Sequence, residues 1–144
     1  MSNNSQDPKN NPADLMREIF GEPIHTYTRA QAIADGVLVD LMQGDLAEIC
    51  RRYYKWPIAC TAAVDALITV AIKDKFAGMD YAGILTEILH MSRVYGDLRP
   101  KSSVVDFRIA IRGTGRRRYH DFKLHIGPGD NMEPVITLMM FNED

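Results

Sequence analysis

The C-terminal part of the chain alternates apolar and polar side chains, and this period of two constrains the fold more than any other feature. Residues 105–111 and 122–126 each place Val, Phe, Leu or Ile on one face and mostly charged side chains on the other. Residues 135–141 are apolar on both faces, which is typical of a strand that is covered on both sides. The segments 113–115 (Gly-Thr-Gly) and 127–130 (Gly-Pro-Gly-Asp) suit the intervening turns. The sequence therefore predicts a C-terminal three-stranded antiparallel meander.

The chain before Pro100 shows the helical period of about 3.6 residues instead. It predicts about five helices, over residues 11–20, 28–35, 45–54, 58–73 and from 80 onward. The apolar, β-branched segment 37–40 is compatible with a short fourth strand. The expected fold class is α+β, with N-terminal helices packed on the C-terminal meander.

Residues 58–73 are predicted to form the central helix. The polar residues of this segment are spaced by four: Thr61, Asp65, Thr69 and Lys73. All the other residues are Ala, Cys, Val, Leu or Ile. A helix with one narrow polar stripe is covered by protein on most sides. We therefore expect it at the centre of the fold or at a seam between two copies, which makes a homodimer compatible with the sequence.

A chain of 144 residues has the size of one domain. Residues 1–10 are polar and predict a disordered tail, which leaves 11–144 as a single α+β domain. No apolar stretch reaches the roughly 20 residues that a bilayer requires, and the N-terminus lacks the apolar core of a secretory signal. Cys50 and Cys60 stand among apolar residues, as buried free thiols do in a reducing compartment. We expect a cytoplasmic protein without membrane contact.

Charge is unevenly distributed along the chain. The net charge is −2, yet residues 99–125 contain eight Lys or Arg and only two Asp. Four arginines and an aromatic residue surround the first predicted turn: Arg112, Arg116, Arg117, Arg118 and Tyr119. Such a group on a β-ribbon can contact nucleic-acid phosphates. It also suits a solvated turn whose charges keep a strand edge from pairing with other chains, and both interpretations stay open.

A second group of hydrogen-bonding side chains surrounds the start of the helix predicted over 28–35. Its members are His25, Tyr27, Arg29, Asp35 and Asp40. The start of a helix attracts anions, so these residues are a candidate small-molecule site in an enzyme or sensor. The plainer interpretation is a capping box, in which Thr28 and Gln31 satisfy the first backbone N–H groups.

No catalytic or metal-binding motif accompanies these groups. The four histidines are isolated and lack metal-ligand spacing, and neither a phosphate loop nor a nucleophile elbow is present. The acidic turn that begins at Gly127 offers too few regularly spaced oxygens for calcium. The sequence therefore indicates no catalytic residue, no metal ligand and no cofactor, and it favours a protein that is not an enzyme.

Two stretches carry a family resemblance. Residues 24–40 read Ile-His-Thr-Tyr-Thr-Arg-Ala-Gln-Ala-Ile-Ala-Asp-Gly-Val-Leu-Val-Asp, and residues 124–138 contain Gly-Pro-Gly-Asp followed by Glu-Pro-Val-Ile-Thr. These stretches resemble the opening and closing motifs of a family of short proteins of unknown function that bacterial plasmids, phages and other mobile elements encode. The resemblance implies an accessory protein of such an element. It brings no assigned catalytic or binding residue.

Three functional hypotheses follow. The preferred one is a non-catalytic binding protein whose partner is a host or element-encoded protein, perturbing host defence or other host machinery. The second is a nucleic-acid-binding protein that uses the arginines around the first turn. The third is a small-molecule enzyme or sensor with a site near residues 25–29.

Overall fold

The computed structural model describes residues 27–98 and 102–143, which contain four helices and five strands. In chain order they are α1 (Arg29–Ala34), β1 (Leu38–Asp40), α2 (Gly44–Tyr53), β2 (Ile58–Thr61), α3 (Ala62–Lys73), α4 (Tyr81–Leu98), β3 (Val104–Ala110), β4 (Tyr119–Pro128) and β5 (Pro134–Met140).

The five strands form one mixed sheet in the order β1-β2-β5-β4-β3. β2 and β5 run parallel, with Ile58 opposite Ile136, and every other pair of neighbours is antiparallel. β5 is therefore the central strand, although it is the last in sequence. This position explains why its side chains, apart from Thr137, are apolar on both faces.

The predicted arrangement of five helices on a three-stranded C-terminal meander is wrong, although the α+β class is correct. β3, β4 and β5 do pair antiparallel, but β5 needs a second neighbour, and β2 from the N-terminal half supplies it. The strand anticipated near residues 37–40 is β1. The helix predicted over 11–20 and the tail at 1–10 lie outside the described residues.

Residues 58–61 were expected to be helical and instead form β2. Thr61 is the N-cap of α3, and its hydroxyl accepts a hydrogen bond from the Val64 N–H at 3.4 Å. The polar residues spaced by four therefore begin at the cap and not inside the helix. α3 is also not enclosed by protein: Ile68 is fully buried, whereas Val70 is exposed. The enclosed element is β5.

One hydrophobic core joins the helices α2, α3 and α4 to one face of the sheet. α4 contributes four fully buried aliphatic residues: Ile84, Leu85, Ile88 and Leu89. On the sheet, Phe107 and Phe122 stack with their ring centroids 5.6 Å apart. Cys50 and Cys60 are free and buried, as the sequence predicts. Within the described ranges, no helix has the length and apolar character needed to cross a membrane.

Candidate functional site

The loop from Ile111 to Arg118 joins β3 to β4 and carries the four arginines; it is called the arginine tip. The Ile111 N–H donates to the Arg118 carbonyl at 2.8 Å and closes the loop. Gly113 and Gly115 have φ values of 90° and 81°. Side chains other than that of glycine rarely adopt this conformation, so the path of the loop depends on both glycines.

Thr114 and His120 hold the arginine tip from within. The Thr114 hydroxyl donates to the Arg117 carbonyl at 2.7 Å and lies 2.9 Å from His120 Nε2. The tautomer of the imidazole decides which of these two atoms donates the hydrogen bond. His120 is only 7% exposed, and this burial lowers its pKa. The neutral ring is therefore the form that supports the loop.

The arginine tip also packs against the end of α3. A Cβ atom at Gly113 would lie 2.5 Å from the Ala71 carbonyl oxygen and 3.1 Å from the Ala71 Cα. Only a glycine permits this approach of two backbones. The contact places the tip beside the C-terminal end of α3, where Lys73 and Lys75 follow and are exposed.

The four arginines of the tip are exposed. Within residues 27–98 and 102–143, their side chains form no ion pair and no hydrogen bond. The carboxylate of Asp121, close to the base of the tip, is bound instead by Arg108 through two contacts of 2.6 and 3.1 Å. This hydrogen-bonded pairing lowers the pKa of Asp121. The positive charge of the tip therefore has no carboxylate bound to it in the described part of the chain.

Two exposed aromatic side chains lie on the segments that adjoin these charges. Tyr119 follows the tip and is 63% exposed, and Phe76 follows α3 and is fully exposed. Aromatic rings beside cationic side chains are the groups on which nucleic-acid bases stack. The region thus combines phosphate-binding and base-stacking chemistry.

The second predicted site lies on the other face of the sheet, where α1 packs against β1 and Arg29 reaches β5. A cleft of about 310 Å³ opens there and is called the α1 cleft. Its principal polar and turn residues come from both family-like stretches: Tyr27, Arg29, His125, Gly127, Asp130 and Thr137.

Arg29 and Asp130 fasten α1 to the sheet. The Arg29 guanidinium donates to Thr137 Oγ1 at 2.8 Å and to the Ile136 carbonyl at 2.7 Å. It is half-buried, and this burial lowers its pKa. The Asp130 carboxylate accepts from the backbone N–H groups of Arg29 and Ala30 at 2.7 and 3.1 Å. The start of α1 is thus occupied by a carboxylate of the protein's own turn, and Thr28 and Gln31 complete the predicted capping box.

His125 lies opposite Thr137 in the β4–β5 register and lines the α1 cleft. A Cβ atom at Gly127 would lie 2.7 Å from His125 Cε1, so the imidazole folds over this glycine. The sequence shows no signal for His125 by itself. Its place, with Asp130 and Thr137, inside the family-like stretch is the signal that links it to Arg29.

The structure brings together part of the predicted small-molecule site. Tyr27 and Arg29 line the α1 cleft, and the Tyr27 hydroxyl donates to Asp35 at 2.8 Å. Asp35 itself lies in an adjoining groove. Asp40 accepts two hydrogen bonds of 2.9 Å from the segment after β1, which uses its carboxylate to form a turn. His25 lies outside the described residues.

The two thiols are poorly suited to nucleophilic chemistry. Burial raises the pKa of Cys50 to about 11 and that of Cys60 to about 12, so both are protonated at neutral pH. Cys60 Sγ lies 4.0 Å from the Tyr81 hydroxyl, which donates to Asp65 at 2.8 Å. In the part of the chain that the structure covers, no three or more His, Cys, Asp or Glu side chains are grouped to hold a metal ion.

Comparison with known proteins identifies the family. Residues 16–144 match a family of unknown function, DUF6573, and the chain belongs to that family. The resemblance to an uncharacterised family is thereby confirmed. No protein of curated function and no solved structure matches the chain significantly.

Proposed function

We propose that the protein is a non-catalytic nucleic-acid-binding protein and that the arginine tip is its contact surface. The observation that supports this most directly is the group of four exposed arginines with no ion pair in the described residues. A guanidinium group binds phosphate through two parallel N–H donors, and only a guanidinium whose donors are available can do so.

The construction of the tip supports the same proposal. A turn that served only to keep the protein soluble would not require a buried histidine beneath it or a backbone contact with another element. Here His120 and Thr114 fix the loop, and Gly113 contacts Ala71. A loop that is already ordered loses little conformational entropy on binding, which favours affinity.

The neighbouring side chains indicate the kind of nucleic acid. Lys73 and Lys75 extend the positive surface, and Tyr119 and Phe76 offer exposed rings for stacking. Bases are accessible for stacking in single strands, and such contacts tolerate any sequence. We therefore expect salt-dependent, sequence-tolerant binding with a preference for single strands over duplex.

The cellular setting completes the proposal. The family resemblance implies an accessory protein of a bacterial mobile element that acts in the cytoplasm. Single-stranded nucleic acid matches the chemistry of the tip, because guanidinium groups bind phosphates and exposed rings stack on bases. The α1 cleft has a structural role in this proposal, because Arg29 and Asp130 are engaged within the protein.

The direct test is fluorescence anisotropy of a labelled single strand and of the matching duplex across a salt series. The variant is Arg116→Ser, Arg117→Ser and Arg118→Ser together. Each phosphate contact on a single strand contributes about 0.7 to the salt slope, and the electrostatic contribution to affinity vanishes near 1 M salt. Loss of three contacts should therefore lower the affinity roughly 30-fold at about 0.2 M salt. The slope of log K against log salt should become shallower by about 2 for the single strand.

A matched control removes three positive charges elsewhere. Arg51→Ser, Arg52→Ser and Lys55→Ser change exposed residues at and just beyond the end of α2. This control should change affinity by less than about threefold, because non-contacting charges act only through the screened overall field. Equal losses in the two triple variants, or a native protein that binds neither probe, would refute the proposal. Circular dichroism and thermal melting verify that both variants fold.

A further inference from the structure

Among the described residues no strand pairs with the outer side of β3, and the backbone geometry of this edge can be assigned. Ile111 donates to Arg118 across the β3–β4 pairing, and Ile126 donates to Ser103, both at 2.8 Å. In an antiparallel pair, hydrogen-bonded residues alternate with residues whose N–H and C=O point away. Alternation between these two pairs means that residues 103, 105, 107, 109 and 111 bond to β4. The backbone N–H and C=O groups that point away from β4 therefore belong to Val104, Asp106, Arg108 and Ala110.

One of these four residues already has a local partner. The Ser102 hydroxyl donates to the Val104 carbonyl at 2.6 Å and accepts from the Val104 N–H at 3.2 Å. No other strand of the described chain lies beyond β3, so Asp106, Arg108 and Ala110 keep their outward backbone groups available. A free edge of this kind is a template for another strand.

We propose that β3 pairs antiparallel with β3 of a second copy of this chain, around a twofold axis at Phe107. This register places Asp106 opposite Arg108 of the second copy and Arg108 opposite its Asp106. Both residues direct their backbone groups outward, so the two central pairs can form four hydrogen bonds. The proposal is independent of nucleic-acid binding, and it joins two five-stranded sheets into one.

The charges favour this partner over an unrelated strand. Within one copy, Asp106 lies opposite Lys123 and Arg108 pairs with Asp121. Self-pairing places four side chains of alternating charge in one row across the joined sheet. The row runs from Lys123 and Asp106 of one copy to Arg108 and Asp121 of the second copy. Opposite charges on directly opposed strand residues stabilise a sheet, whereas a register shifted by two would oppose like charges.

The helix beside the edge presents an apolar stripe to the same partner. Met91 and Val94 have helical spacing on one side of α4, and a groove of about 350 Å³, lined also by Glu87, separates Met91 from the end of β3. Val94 is 42% exposed. The Tyr95 and Phe107 ring centroids lie 6.3 Å apart, so the turn of α4 that carries Val94 and Tyr95 lies level with the proposed axis. In the proposed dimer, the Val94 side chains of the two copies would meet there.

Sedimentation velocity and light scattering of the full chain, without nucleic acid, test the pairing. The native protein should be a dimer. In a homodimer of Asp106→Arg, each new arginine faces Arg108 of the other copy, and in Arg108→Asp each new aspartate faces Asp106. The dissociation constant of the dimer should therefore rise at least tenfold for each variant alone. An equimolar mixture restores opposite charges at both positions and should recover the dimer as a heterodimer.

Two further measurements keep the test decisive. Val94→Asp should also weaken the dimer, whereas Val70→Asp, the same change at an exposed position of α3, should not. The Asp106 and Arg108 amides should exchange with solvent more slowly as native protein concentration rises. A native protein that stays monomeric, or a mixture of the charge variants that does not associate, would overturn the proposal.

Discussion

Arg29 in the α1 cleft and the arginines of the tip are the same side chain in opposite surroundings. The Arg29 guanidinium is half-buried and donates to a hydroxyl and a carbonyl of β5. The tip guanidinium groups are exposed and have no hydrogen-bond acceptor among the described residues. The family-like stretches meet at Arg29, while the unengaged arginines lie outside them. Removal of a guanidinium should therefore cost stability in the α1 cleft and cost binding at the tip.

The largest stability effect is expected at Gly113, where the tip meets α3. Gly113→Ala adds a strained positive φ, at about 1–2 kcal/mol, and forces the backbone away from Ala71, at about 1–3 kcal/mol. Gly115→Ala carries only the first cost, since no atom lies within 4 Å of its added Cβ. Urea denaturation should show a loss for Gly113→Ala that exceeds the loss for Gly115→Ala by at least about 1 kcal/mol. Equal losses would mean that the contact with α3 contributes nothing.

Removal of the Arg29 guanidinium should have the next largest effect on stability. Arg29→Met keeps much of the aliphatic stem but leaves Thr137 and the Ile136 carbonyl without their donor. Hydrogen bonds from a charged group contribute about 1.5–3 kcal/mol, so the free energy of unfolding should fall by about 2–3 kcal/mol. Nucleic-acid affinity measured by anisotropy should stay within about twofold of the native value. A loss of binding as large as that of the tip variant would contradict the separate roles of the two regions. The control Arg29→Lys keeps the positive charge and should lose less stability than Arg29→Met.

The cap on α1 should contribute less than Arg29. Asp130→Ala removes the acceptor for the Arg29 and Ala30 N–H groups, and lost caps cost about 1 kcal/mol. Asp130→Asn retains a side-chain oxygen and should recover at least half of that loss. Thermal melting at equal ionic strength measures both variants. A cost for Asn equal to that for Ala would indicate that charge, and not hydrogen bonding, holds the turn.

The smallest effect is the pH dependence of the tip. Burial holds the folded pKa of His120 below its ordinary 6.5, and the nearby Arg117 charge acts in the same direction. A hydrogen bond with the Arg117 backbone and the charge of Asp121 oppose this shift without cancelling it. The unfolded chain therefore takes up this proton first as the pH falls. The contribution of neutral His120 to the free energy of unfolding should be fully present above about pH 6.5. It should decrease as the pH falls from there through the lower folded pKa. His120→Gln should flatten this part of the stability curve, and an unchanged slope would exclude His120 as its source.

Local patterns of the sequence predicted the local features of the structure well. The period of two located β3 and β4, and the Thr28–Gln31 pattern predicted the capping box that is present. The position of β2 could not be predicted in this way, because a segment of only four residues directly before a helix has no distinguishing period. Its strand identity depends on β5, which lies far away in sequence.

The same reasoning applies to the candidate sites. The tip arginines are adjacent in sequence, so their grouping needed no tertiary information. The α1 cleft required contacts such as Asp130 to Arg29, which join residues 101 positions apart. The sequence indicated Tyr27 and Arg29 but not His125 or Thr137, since these residues become neighbours only when β4 and β5 pair.

The central place of β5 has a consequence for how the chain folds. Before β5 is inserted, β1 and β2 can form one antiparallel pair and β3 and β4 another, each from nearby segments. β5 then has to join both at once, and its parallel pairing with β2 closes most of the chain into a loop. Pairing over such a separation is slow, so insertion of β5 should set the folding rate. Until that step, both strand pairs expose edges that can associate wrongly, and concentrated refolding should lose material to aggregation.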